Sequence, residues 1–183
     1  MDQISINRIQ SAHPVLRDEL LTILKDCEIA LSGRADVRFT FVLRSLEEQQ
    51  AIFAQGRQAI AVVNNLRAKV KMPPITVAEN KIVSYAQPGS SYHNYGLAVD
   101  IVLIIDGRTA AWDVITDFDG DRVADWMEVV KIFKKYGWTW GGDWVGKKYD
   151  APHFQKTFGL SIADCRRRVA SKSFIPGTSY ITI

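Results

Sequence analysis

Apolar residues recur along this chain with two different periods, and each period predicts an element. From His13 to Leu31, Leu16, Leu20, Ile23, Leu24 and Cys27 fall at three- and four-residue intervals, the pattern of a helix with one buried face. Pro14 suits its first turn, where a missing N–H costs nothing, and Gly33 lies just past its end. His13 is read as a cap or flank of that helix. From Val37 to Leu43 the period drops to two: Val37, Phe39, Phe41 and Leu43 alternate with Arg38, Thr40 and Val42, which predicts a strand. Ser45-Leu46-Glu47-Glu48 is a capping box that opens a helix carrying Gln49 and Gln50, and Gln55-Gly56-Arg57 breaks it. A second helical stretch, Gln58 to Lys71, stops before Pro73-Pro74.

Leu97 to Ile105 is a nearly continuous apolar run around Asp100 and reads as a buried strand. Asp106-Gly107 signals a hairpin turn into Thr109 to Trp112. Val123 to Tyr136 reads as a helix anchored by Met127, Val130, Ile132 and Phe133, with Gly137 as its stop. Trp138-Thr139-Trp140 begins a strand or aromatic loop, and His153 to Gln155 is the last core strand. Residues after Phe158 are expected to form a short helix and an irregular tail. No repeat or linker interrupts the chain. The pattern predicts an α+β fold, a small, mainly antiparallel sheet with helices packed on one side. It is read as one domain over 1–183, with its core over roughly 7–158 and a C-terminal helix and tail over 159–183.

Composition changes this picture little. The chain has 183 residues, 47% apolar and 23% charged, ordinary for a globular protein. A net charge of +3 favours approach to an anionic polymer but does not mark a nucleic-acid-binding protein. No apolar run has the length of a membrane span, so no membrane insertion is expected. Met1-Asp2-Gln3-Ile4-Ser5 has neither the basic nor the apolar region of a secretory signal, so the chain is expected to be made in the cytoplasm. Cys27 and Cys165 read as two unpaired thiols.

The candidate chemistry sits in two short stretches. Ser91-Tyr92-His93-Asn94-Tyr95-Gly96-Leu97-Ala98-Val99-Asp100 and Asp150-Ala151-Pro152-His153 contain two of the three histidines and two well-placed carboxylates. Three protein ligands leave a fourth position on zinc open for water, and a nearby carboxylate can take that water's proton. His93 and Asp100 are seven residues apart, which on a straight strand puts them on opposite faces. They converge only if His93 lies on a loop, with Gly96 permitting the bend. A carboxylate among Val99, Ile101 and Val102 is costly unless a cation answers it. The bland alternative is an Asp satisfied by backbone amides at a strand end, with His93 on a surface loop.

Ser91-x-His93-x-x-Gly96-x-Ala98-x-Asp100 followed by Asp150-x-x-His153 resembles the zinc peptidases of the D-Ala-D-Ala carboxypeptidase (VanY) and L-alanyl-D-glutamate endopeptidase family, whose fold is shared with lysostaphin-type enzymes and the hedgehog signalling domain. Arg44-Ser45 with Gln49, then Phe53-Ala54-Gln55-Gly56-Arg57, resembles another block of that family. Trp138-Thr139-Trp140-Gly141-Gly142-Asp143-Trp144 resembles the tryptophan–glycine block of its endopeptidase branch. The resemblance implies that His93, Asp100 and His153 are zinc ligands and that Asp150 is the general base, where many relatives carry the longer Glu. It implies that Arg44 stabilises the oxyanion; its bland alternative is a surface arginine at a strand end. Ser91 either hydrogen-bonds substrate or orients the His93 loop. Gln49, Trp140 and Asp143 are expected at the substrate, with Trp138 in the core and Trp140 or Trp144 nearer the cleft.

The resemblance further implies cleavage of peptidoglycan stem peptides, at the L-Ala–D-Glu bond or, alternatively, as a D-Ala-D-Ala carboxypeptidase or dipeptidase. A non-catalytic zinc-stabilised binding domain is a third possibility, disfavoured by Asp150 and Arg44. The missing signal suits a phage endolysin released to the cell wall through a holin-type pore, with a bacterial lysis or wall-remodelling enzyme as the alternative; either is expected to work as a monomer with no separate wall-binding module. One motif lies outside the resemblance. Asp117, Asp119, Asp121, Asp125 and Glu128 occupy positions 1, 3, 5, 9 and 12 of a twelve-residue loop, the ligand layout of an EF-hand for calcium. Arg122 replaces the usual Gly at position 6, Ala124 replaces a larger apolar residue at position 8, and no matching helix precedes the loop. The alternative is an acidic, capped helix N-terminus.

Overall fold

In the computed structural model, which describes residues 1–183, the apolar run around Asp100 becomes β2 (Ala98–Ile105), the strand on which the sheet is built. The other strands are β1 (Ala35–Phe41), β3 (Thr109–Ala111), β4 (Thr139–Trp140) and β5 (His153–Gln155). Six helices accompany them: α1 (Gln3–Ile9), α2 (Arg17–Ala30), α3 (Leu46–Ala54), α4 (Ile60–Lys69), α5 (Asp125–Lys135) and α6 (Ile162–Ala170). The α+β class expected from the sequence holds.

All five strands are antiparallel to their neighbours, in the order β1-β2-β5-β4 with β3 also on β2. One edge of β2 pairs with β1 over Asp100–Ile105. The other edge is divided, with β5 on Ala98–Asp100 and β3 on Leu103–Ile105. Seven of the eight β2 residues are buried, so both faces of the strand are covered, which is why β2 reads as a continuous apolar run. Asp106 (φ 48) and Gly107 (φ 69) both take left-handed backbone between β2 and β3, the hairpin geometry expected of Asp-Gly.

The chain divides into two compact units. The first comprises 1–43 and 96–158 and contains the whole sheet. Its helices α1 and α2 pack against β1, α2 packs against α5, and α5 packs against β4. Leu20, Ile23, Leu24 and Cys27 of α2 are buried as the periodicity requires. Phe133 of α5 is the aromatic centre: it stacks on Phe154 at 4.2 Å and meets Trp138 edge-on at 5.5 Å. α2 is preceded by a 3-10 turn, Pro14–Leu16, and His13 caps it by accepting from the Val15 N–H. The sequence placed Met127 inward on α5, but it is exposed, and Trp126 and Val129 take the buried face.

The second unit comprises 44–95 and 159–183. The Ser45–Glu48 capping box opens α3 as expected, and α3 packs on α4. Gly56 holds φ 70, and a Cβ there would lie 2.3 Å from the Ile82 nitrogen, so the loop closes directly over it. α6 begins with its own capping box, Ser161 with Asp164. Arg166 of α6 donates to the Gly89 carbonyl, and the Tyr95 hydroxyl reaches the same oxygen. No helix is long and apolar enough to cross a membrane.

Candidate active site

Strand register builds the part of the site held by the first unit. Asp100 of β2 is the direct cross-strand partner of His153 of β5, and the Ile101 N–H donates to the Pro152 carbonyl one step away. Such partners have Cβ atoms about 4.5–5.5 Å apart, close enough for short side chains to meet. His153 Nδ1 lies 3.1 Å from Asp100 Oδ1. Its other ring nitrogen, Nε2, lies 3.0 Å from Gln155 Oε1. Gln155 thus fixes the ring and leaves Nδ1 as the nitrogen facing the carboxylate. Burial alone would make the imidazole harder to protonate. Asp100, helped by Gln155 and Asp150, outweighs it and raises the His153 pKa above the ordinary histidine value.

Asp150 enters from the turn before β5 and is exposed. That turn is shaped by the tryptophan–glycine block. The Asp150 N–H donates to the Gly141 carbonyl at 3.1 Å, and the Trp140 indole N–H donates to the Ala151 carbonyl at 2.7 Å. A Cβ on Gly141 would lie 2.4 Å from the Asp150 carbonyl oxygen, so only glycine allows the approach. Trp140 itself is buried, with Trp138, so its place is behind the turn rather than on an open wall. Trp144 is the tryptophan beside the imidazole, its ring centroid 5.3 Å from that of His153. Asp143 is exposed and pairs with Lys134 at 2.8 Å.

The second unit holds the remaining candidates. His93 sits in a 3-10 turn, Tyr92–Tyr95, followed by Gly96 at φ 69, the loop-and-bend arrangement that the odd spacing to Asp100 demands. The side chain of His93 is buried. Ser91 accepts the His93 N–H at 3.3 Å, a contact that orients the loop. The His93 carbonyl accepts the Arg44 N–H at 3.0 Å, and Asn94 Nδ2 donates to the Arg44 carbonyl at 2.9 Å. Arg44 is buried, not the exposed strand-end arginine of the bland alternative. Its Nη1 donates to Gln49 Oε1 at 3.0 Å. Gln49 is fully buried, and its amide nitrogen donates to Ser84 Oγ and the Ala86 carbonyl. Its amide is committed to holding Arg44 rather than open to a substrate.

Two contributors escaped the sequence reading. Gln155 is two residues from His153, so strand alternation alone puts both on one face. Asn94 carries no comparable signal, because its value lies in contacts fifty residues away in sequence.

Comparison with known proteins adds to this geometry. A family model described as D-alanyl-D-alanine carboxypeptidase matches residues 85–156, a span that includes His93, Asp100, Asp150 and His153. The chain is 38% identical over 142 residues to the peptidoglycan L-alanyl-D-glutamate endopeptidase CwlK of Bacillus subtilis (strain 168), covering 75% of this chain and 73% of the relative. A crystal structure of the Serratia marcescens L-Ala D-Glu endopeptidase ChiX is similar with a TM-score of 0.48 and 19% identity, over 86% of this chain and 90% of that one. On the identity to CwlK and the family match, the chain belongs to the D-alanyl-D-alanine carboxypeptidase and L-alanyl-D-glutamate endopeptidase family of peptidases.

Proposed function

We propose that the chain is a zinc-dependent peptidoglycan endopeptidase that cuts the stem peptide between L-Ala and D-Glu. The observation that carries this reading is the β2–β5 register, which sets Asp100 against His153 with Asp150 three residues earlier, in a chain whose relative is named for that bond. His93, Asp100 and His153 fit zinc by donor chemistry: two imidazoles and one carboxylate, with a fourth position left over. When bound, zinc supplies Lewis acidity toward the scissile carbonyl oxygen and toward water.

The remaining steps belong to the chain's own side chains. The Asp150 carboxylate accepts the proton of the attacking water as its oxygen bonds to the carbonyl carbon. It then delivers that proton to the leaving amine nitrogen as the C–N bond breaks. The Arg44 guanidinium donates to the carbonyl oxygen as it gains charge, and Gln49 keeps that guanidinium in place. Trp144, beside His153, and Asp143 are assigned to the substrate's approach. We read 1–183 as a single catalytic domain acting on the wall as a monomer.

The matched family model names a competing bond, D-Ala–D-Ala, in the same substrate. A synthetic stem peptide carrying both bonds separates the two readings by mass spectrometry. A new amino terminus at D-Glu is expected. Loss of terminal D-Ala alone would transfer the assignment to a carboxypeptidase, and an intact peptide with zinc-replete protein would overturn both.

A further inference from the structure

The loop from Asp117 to Glu128 is not used by the peptidase chemistry, yet it is built in detail. Its carboxylates fold it: Asp117 accepts the Gly120 and Arg122 N–H groups at 2.6 and 2.8 Å, and Asp121 accepts that of Val123 at 2.7 Å. Asp119 accepts the Asp121 N–H at 3.1 Å, and Asp125 Oδ1 accepts that of Phe118 at 3.0 Å. Arg122, at the position where an EF-hand loop carries glycine, holds φ 79, the left-handed backbone that glycine normally supplies. The departure at position 6 is therefore absorbed by the backbone.

The second oxygens of three of these acids point to a ligand. Asp125 is 0% exposed, and its Oδ2 has no hydrogen-bond partner. Asp119 Oδ2 and Glu128 Oε2 are likewise buried without partners. Asp117, Asp119 and Asp125 offer oxygens within 4.8 Å of one another, and so do Asp119, Asp121 and Glu128. Buried carboxylate oxygens without donors are costly unless a cation answers them. The crowding shows in Glu128, which burial and the four neighbouring aspartates push up to about 7.

We propose that the Asp117–Glu128 loop binds one calcium ion through its inward carboxylate oxygens, with the Val123 carbonyl in the position where such loops use a backbone oxygen. Calcium suits the site better than magnesium. It takes six to eight oxygens in flexible geometry, including a bidentate Glu at position 12, whereas magnesium demands a tight octahedron. Asp125 and Glu128 lie in the first turn of α5, so the ion would clamp that end of the helix. The inference does not rest on the peptidase reading.

The test is titration of the zinc-loaded protein in calcium-free buffer with calcium chloride, and in parallel with magnesium chloride, by calorimetry and thermal melting. The expected result is one calcium per chain, a Kd between about 10⁻⁵ and 10⁻³ M, and a Tm that climbs with free calcium. The variant Asp119→Asn with Asp121→Asn should keep its zinc and bind calcium at least about tenfold more weakly. Absence of heat and of any Tm shift at about 10 mM calcium would overturn the proposal. So would an equal response to magnesium, or a calcium response unchanged in the double variant.

Discussion

Gly141→Ala tests how tightly the turn bearing the proposed base is built. Gly141 has no left-handed backbone, so alanine brings no conformational strain, only a methyl group. That methyl would lie 2.4 Å from the Asp150 carbonyl oxygen, 3.1 Å from His153 Cβ and 3.2 Å from Asp150 Cβ. Reaching an ordinary 3.4 Å contact takes about 1 Å of movement, and the Asp150–His153 turn carries most of it because Trp140 and Gly141 are pinned in β4 and the core. A displacement of about 1 Å in catalytic geometry costs on the order of 10²-fold in rate. Overpacking of this kind destabilises by about 1–3 kcal/mol, which for a chain of this size lowers Tm by roughly 2–12 °C. The assay pairs kcat/KM on a stem peptide with a thermal melt and zinc content. The expected variant is folded, melts lower and has lost about two orders of magnitude in kcat/KM. Wild-type turnover with an unchanged Tm would refute the reasoning, because the turn would then have room that the distances deny.

Gln155→Leu should leave the fold intact but weaken zinc binding about 10–100-fold, read by competition with a chromogenic chelator, because the His153 ring loses the contact that orients it. Arg44→Lys should lower kcat/KM at unchanged zinc content, since a point charge cannot both donate to Gln49 and match a planar guanidinium, and a steady-state comparison checks it. Asp2 gives a pH-dependent case. Burial would raise its carboxyl, but Arg38 and Ser5 together hold it below the ordinary value of 3.8. A depressed folded pKa contributes stability above 3.8 that is lost as pH falls through the folded value. Urea denaturation of Asp2→Asn should therefore differ from the parent at pH 7, and the gap should close in acid.

Much of the frame was legible because local rules decided it. The Ser45–Glu48 box, the Asp106-Gly107 turn and the buried run of β2 each carry their own signal, and each appears where expected. The bend at Gly96 was legible too, since His93 and Asp100, at an odd spacing, can converge only through one. What was missed depends on distant partners. α1 has seven residues, too few to be stable alone. It forms because Asp2 caps it and because the Ser5 hydroxyl bonds to Val37 and Phe39 of β1. On α5, Met127 and Trp126 are adjacent apolar residues, and helical periodicity with a one-residue uncertainty in phase chose the wrong one. Trp140 and Gln49 looked like substrate contacts by residue type. Their partners, Ala151 and the Arg44–Ser84–Ala86 group, are visible only in three dimensions.

The central claim is that this chain hydrolyses peptidoglycan peptide bonds with Asp150 as its base. Digestion of purified sacculi, with the new termini identified by mass spectrometry, compares the parent with Asp150→Asn at equal zinc content. The parent is expected to release fragments with free D-Glu amino termini, and Asp150→Asn, nearly isosteric but unable to accept the proton, to fall short by about 10²–10⁴-fold. Undigested sacculi with the zinc-loaded parent, or equal release by the variant, would contradict the account.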